Sequence, residues 1–245
     1  MNYITKKEIT TQDNTKIRFN HYENNKKDVV IISPGWCMTK DSKSFLKISE
    51  IFINNFDVIT IDYRGHGESG GFFTFGAKEI LDLEAVINYA KENYNYEKIN
   101  LVGFSLGAST SLIAASNLNF INAIIAVSPP SNFAKIENHM WKKAAWYETI
   151  KKFELSRFLS IRPSIIPHKK IKTIDIIKKI KSKTLFIAGG KDPTVYPWHT
   201  EELYKNATCK KEYKLFKDGY HAEDLYLYYP EEFKTLCIHW LNRNS

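Results

Sequence analysis

The sequence predicts an α/β fold: a mostly parallel central sheet of about eight strands, with helices on both faces. Three observations carry that prediction. Short apolar runs recur along the chain without the alternation of a half-buried strand. Helical patterns fall between them. The regular spacing breaks once, in a basic stretch of about fifty residues.

The elements follow in order. Residues 3–10 and 16–22 alternate like an antiparallel pair joined by the turn Gln12-Asp13-Asn14. Val29-Val30-Ile31-Ile32, Val58-Ile59-Thr60-Ile61, Leu101-Val102, Ala123-Ile124-Ile125-Ala126-Val127 and Leu185-Phe186-Ile187-Ala188 read as strands buried on both faces. Residues 212–216 supply a last strand. Helical patterns occupy residues 44–54, 77–93 and 106–116, and strand–helix alternation of this kind stacks into three layers. Nearly sixty residues separate Val127 from Leu185, too many for a plain crossover. The expected organisation is therefore a core of residues 1–130 and 183–245, with residues 131–182 inserted after the sixth strand as a helical cap. Of the cap aromatics Trp141, Trp146, Tyr147, Phe153 and Phe158, most are expected to pack the cap down. Trp141 and Trp146 are the candidates to face a substrate pocket.

Composition bounds the function. The chain has 245 residues, 43% of them hydrophobic and 25% charged, which suits a globular α/β domain. No apolar run approaches the roughly 18 residues of a membrane span, and the first residues carry no apolar leader core. Cys37, Cys209 and Cys237 are odd in number and scattered, favouring a reducing cytoplasm over a disulfide framework. No metal-ligand cluster or phosphate-binding glycine loop is visible, so neither a metal nor a cofactor is expected. Net charge is +8, yet residues 131–183 hold 14 Lys/Arg against four acids, a local +10 that leaves −2 for the remainder. A solvated basic surface explains this simply; weak attraction of the cap to anionic surfaces is the sharper reading. Nucleic acid is not expected, because no recognition motif accompanies the charge.

Gly103-Phe104-Ser105-Leu106-Gly107 carries the chemistry. It sets a serine between two glycines where a buried strand gives way to a helix. So sharp a turn pushes Ser105 towards positive φ and holds its hydroxyl out of the chain's path. Small residues are needed on either side, because backbones pass too close for a Cβ. The helix N-terminus beside Ser105 favours developing negative charge. A serine nucleophile also needs a base and a group that orients the base. Asp192, in Gly189-Gly190-Lys191-Asp192-Pro193, directly follows one strand; His221, in Lys217-Asp218-Gly219-Tyr220-His221, directly follows the next. All three residues fall on the rim where doubly wound sheets place their sites. His66, Asp62 and Asp82 read as loop or helix-end fixtures, and His21, His139, His168, His199 and His239 have no partner pattern.

These segments resemble the α/β-hydrolase superfamily over essentially the whole chain. Asp62-Tyr63-Arg64-Gly65-His66-Gly67-Glu68-Ser69 is similar to the family's loop after the fourth strand, Gly190-Lys191-Asp192-Pro193 to its acid turn and Gly219-Tyr220-His221 to its histidine loop. The layout resembles small bacterial carboxylesterases, including cinnamoyl-ester hydrolases, and monoacylglycerol-lipase-like enzymes. The resemblance implies ester or thioester hydrolysis through an acyl-enzyme, without a cofactor. It implies a triad of Ser105, Asp192 and His221, with an oxyanion hole from the Leu106 amide and one amide of Ser33-Pro34-Gly35-Trp36-Cys37. The family usually has His-Gly in that loop. Here Pro34 replaces the histidine, leaving Trp36 as the matching donor and removing a side chain that braces the loop. The Trp36 ring either walls the acyl pocket or is plain core.

The expected function is thus a cytoplasmic carboxylesterase acting on short to medium acyl or aryl esters. A thioesterase or acyltransferase using the same triad is the first alternative, and the basic cap suits an anionic acyl carrier. A ligand-binding protein with little turnover is the second. An amidase or peptidase fits less well, since no acidic cluster stands ready for a free amino terminus. The small-molecule substrate is the one expected partner, and oligomeric state is not legible.

Overall fold

The computed structural model describes residues 3–140, 143, 154 and 159–243. Its strands are β1 (Tyr3–Thr10), β2 (Lys16–Glu23), β3 (Asp28–Ser33), β4 (Asp57–Ile61), β5 (Lys98–Phe104), β6 (Ile121–Val127), β7 (Lys183–Gly189) and β8 (Lys211–Phe216). They form one eight-stranded sheet in the order β1-β2-β4-β3-β5-β6-β7-β8. β2 runs antiparallel to both β1 and β4, and every later pairing is parallel. The chain leaves β3 towards β4 on one side, then crosses back to place β5 on the other. The loops after β3 and β5 therefore diverge at their C-terminal ends and open a crevice there.

The helices are α1 (Lys43–Ile53), α2 (Glu79–Asn93), α3 (Leu106–Asn117), α4 (Phe133–Met140), α5 (Thr173–Ile176), α6 (Pro197–Asn206), α7 (Asp224–Tyr228) and α8 (Pro230–Asn242). The non-alternating strands follow from helices covering both faces. Val29 and Ile31 join one core with Leu83 and Val86 of α2, Leu112 of α3 and Leu203 of α6. Their neighbours Val30 and Ile32 join the other, with Phe45 and Phe52 of α1 and Phe233 and Trp240 of α8. A third, smaller cluster lies apart from both. Phe73, Leu106, Phe133, Ile136 and Val195 pack together, with Trp36 and Phe75 against them.

The segment between β6 and β7 opens with α4. Farther on, it is stitched to the loop after β4. The Arg162 N–H donates to Gly65 O at 2.8 Å, Phe73 N–H to Arg162 O at 2.8 Å and Ser164 N–H to Phe73 O at 2.8 Å. Gly65 is required there: a Cβ would lie 2.2 Å from the Phe73 nitrogen, and its φ is +69°. Trp141, Trp146, Tyr147, Phe153 and Phe158 lie outside the described residues. Among the described residues no helix is long and apolar enough to cross a membrane. Nor do any three or more His, Cys, Asp or Glu gather where they could hold a metal ion.

Candidate active site

Ser105 sits at the β5–α3 junction with φ 52° and ψ −114°, a conformation that costs a non-glycine residue on the order of 1–3 kcal/mol. Its N–H donates to Val127 O at 2.8 Å, and its carbonyl accepts from the Ala108 and Ser109 amides at 3.0 and 3.1 Å. The hydroxyl makes no cap bond to the helix that follows. The backbone thus starts α3 while the side chain is left over for another purpose. Both glycines are needed, for different reasons. A Cβ on Gly103 would lie 2.4 Å from Gly107 O, where strand and helix cross. A Cβ on Gly107 would lie 2.1 Å from Ser33 O and 2.5 Å from Pro34 O. So the second glycine makes room for the loop after β3 rather than for the strand.

His221 and Asp192 are brought together from the loops after β8 and β7. The His221 Nδ1–H donates to Asp192 Oδ2 at 2.6 Å. Asp192 Oδ1 accepts from the Thr194 and Val195 amides at 2.9 and 2.8 Å. The carboxylate is buried and both its oxygens are engaged, so its plane is fixed and with it the imidazole edge it faces. With Nδ1–H committed to Asp192, Nε2 is the ring's basic nitrogen. The two loops touch backbone to backbone. The Lys191 N–H donates to Gly219 O at 2.9 Å, and a Cβ on Gly189 would lie 2.1 Å from Tyr220 O.

The loop carrying His221 is also tied towards Ser105. Ser128, directly after β6, adopts φ 49° and donates its N–H to Ile187 O at 2.8 Å. Its hydroxyl accepts the Ala222 N–H at 3.2 Å. Its neighbour Val127 is the residue that accepts the Ser105 N–H. Nothing in the sequence around Ser128-Pro129-Pro130 marks this role, because the partner lies 94 residues away.

The two expected oxyanion donors lie close to Ser105. Gly35 approaches Ser105 so nearly that a Cβ would stand 3.4 Å from the serine Cβ. Among the described residues neither the Trp36 nor the Leu106 amide donates to a protein acceptor. Trp36 belongs to the third cluster, its ring stacked on Phe73 at a centroid distance of 6.3 Å. That cluster includes Leu106 and Val195, which flank the serine and the acid turn, so it forms an apolar wall beside the site rather than sheet core.

Pro34 removes one brace from the loop that carries Trp36, and the structure supplies another. His66 is buried; its Nδ1–H donates to Arg64 O at 3.1 Å, leaving Nε2 to accept the Cys37 N–H at 3.3 Å. A histidine read as a loop fixture thus fixes the residue next to Trp36. Asp62 and Asp82 hold the loop after β4. Asp62 accepts the Lys40 and Glu68 amides at 2.7 and 3.1 Å, and Asp82 pairs with buried Arg64 at 2.7 Å. Of the remaining histidines, His21 is buried against Tyr96 and His199 against Ser131.

Burial, helped by the Arg162 charge, holds the His66 imidazole down at about 4, below its ordinary 6.5. Between those values the unfolded chain takes up a proton that the native state refuses, so stability falls as pH drops through the window. The expected contribution lost by pH 4 is about 3 kcal/mol. His66→Asn lacks that titration, so urea unfolding should show its stability deficit relative to the parent shrinking from pH 7 to pH 4. A deficit independent of pH would refute the assignment.

A family model described as the alpha/beta hydrolase fold matches residues 28–150. The chain is similar to the Pyrococcus furiosus esterase Pf2001, with a TM-score of 0.83 and 27% identity, covering 99% of this chain and 93% of that one. YqkD of Bacillus subtilis is 27% identical over 204 residues, 80% of this chain and 65% of YqkD. Ethanol acetyltransferase 1 of Cyberlindnera fabianii is 33% identical over 105 residues, 40% of this chain and 30% of its own. The chain spans 30% to 65% of the length of the curated relatives it matches. With half its residues under that family model and the eight-stranded sheet described above, the chain belongs to the alpha/beta hydrolase fold family.

Proposed function

We propose that this protein is a serine hydrolase that cleaves carboxylic esters of short to medium acyl or aryl acids through an acyl-enzyme. The observation that carries the reading is the Asp192–His221 pair, held at 2.6 Å by a carboxylate whose other oxygen is already tied to two amides. In this reading Ser105 Oγ attacks the ester carbonyl carbon and its proton passes to His221 Nε2. The Leu106 and Trp36 amides receive the oxyanion. Collapse expels the alcohol, which takes the proton from His221. Water then attacks the acyl group, gives its proton to His221, and the acid leaves as Ser105 regains its hydrogen. The likeness to Pf2001, named an esterase, supports ester chemistry. The aromatic wall of Trp36, Phe73 and Phe75 suits compact or aryl acyl groups, as the cinnamoyl-esterase resemblance would have it. Residues 131–182 are taken as the cap over this site.

Acyl transfer to a thiol or alcohol acceptor is the second reading, favoured by the match to Ethanol acetyltransferase 1. A p-nitrophenyl ester series graded by acyl length, run beside acyl-CoA and anilide counterparts, separates the two. Turnover of the short esters above both other classes is expected. Folded protein without ester turnover would reject the proposal. Acyl-CoA turnover with salt-sensitive KM would move it to the second reading.

A further inference from the structure

Five of the ten large hydrophobic side chains exposed among the described residues fall in residues 159–171 and in the loop after β4 to which that stretch is stitched. They are Phe72 at 60%, Leu159 at 73%, Ile165 at 97%, Ile166 at 64% and Ile171 at 45% exposed. The hydrogen bonds of Arg162, Phe73 and Ser164 that stitch the inserted segment to the loop after β4 bring Phe72 beside residues 162–164. Ile165 stands at the tip of a turn closed by Ser164, whose hydroxyl accepts the Ile166 N–H at 3.2 Å. Residues 159–172 contain Arg162, Lys169, Lys170 and Lys172 and no acid, a local charge of +4 before His168 is counted. Lys169 and Lys172 are exposed.

We propose that this stretch docks onto an anionic lipid bilayer, with Ile165 and Ile166 entering the acyl layer and Lys169 and Lys172 meeting the headgroups. An exposed apolar segment whose own charges are all of one sign marks an interaction surface. The charge selects the occupant. A second copy of the chain would set +4 against +4, whereas an anionic surface neutralises it. The shape agrees: a side chain 97% exposed protrudes rather than lining a groove, which suits a fluid layer. The segment is also pre-organised by its backbone bonds, so docking orders little new chain. Phe73, next to exposed Phe72, belongs to the wall beside Ser105, and Lys170 Nζ stands 5.0 Å above the Phe133 ring of that wall. Resting on the proposed function, the docked stretch would feed the site with esters dissolved in lipid.

The test is co-sedimentation with vesicles of phosphatidylcholine alone or with about a third phosphatidylglycerol, at low and high salt. Partition onto the anionic vesicles is expected, at least about tenfold weaker for Ile165→Ser/Ile166→Ser and for Lys169→Glu/Lys172→Glu. Both pairs should keep the parent's turnover of p-nitrophenyl acetate and its melting temperature. Ser105→Ala should bind as the parent does, which keeps this result separate from any failure of the hydrolase reading. No partition at low salt, or parental binding by the isoleucine pair, overturns the proposal. So does a parent dimer that the isoleucine pair dissociates, which would assign the face to a second copy.

Discussion

Asp192→Asn is expected to lower kcat by about 10³–10⁴-fold while leaving KM and stability near those of the parent. The geometry of the acid turn forces this. Oδ1 must keep accepting the Thr194 and Val195 amides, since turning the asparagine over would set its NH₂ against two N–H donors. The NH₂ therefore faces His221 Nδ1, which at 2.6 Å in the parent is the donor to Oδ2. Two donors cannot share that contact, so the imidazole proton moves to Nε2. An Nε2–H ring cannot accept the Ser105 proton. The folded protein survives because the side-chain atoms at position 192, the Thr194 and Val195 amides and His221 Nδ1 all retain partners. Steady-state kinetics beside a urea unfolding curve checks both halves. A loss below about tenfold would mean that Asp192 does not set the tautomer.

Gly189→Ala is expected to damage stability and turnover together. The new Cβ would stand 2.1 Å from Tyr220 O and 2.6 Å from Gly219 O, both backbone atoms of the histidine loop. Neither can rotate away as a side-chain tip would, so the loop must shift. Overpacking of this kind costs about 1–3 kcal/mol, or roughly 3–10 °C in Tm for a chain of this size. Moving His221 by about 1 Å costs turnover about 10²-fold. Gly70→Ala is the control, because its Cβ meets Lys16 atoms no nearer than 3.4 Å. Calorimetry and kcat/KM should show Gly189→Ala impaired in both and Gly70→Ala close to the parent. Equal behaviour of the two variants would show that the two loops do not depend on their close contact.

The strands, and the placement of Ser105, Asp192 and His221 on the loops after β5, β7 and β8, were legible because each leaves a local mark. A strand covered on both faces reads as an unbroken apolar run, as Val29 to Ile32 do with alternate side chains in separate cores. A serine at positive φ between a crossing strand and helix demands flanking glycines, and Ser105 has them. The supporting contacts left no such mark. His66 meets Cys37 across 29 residues and Ser128 meets Ala222 across 94, through backbone amides that any residue possesses. Pro34 suggested an unbraced oxyanion loop because the sequence shows which side chain is missing, not which one has taken its place. The exposed stretch was legible only as charge: Ile165 and Ile166 look like core residues until the fold leaves them outside.

The central claim is that Ser105 is a nucleophile activated by the Asp192–His221 pair. Intact-mass measurement after treatment with a fluorophosphonate, followed by peptide mapping, tests it most directly. One adduct is expected, on Ser105, absent in Ser105→Ala and formed at least about 10²-fold more slowly in His221→Ala. A folded protein that gains no adduct, or gains it at another residue, would contradict the account.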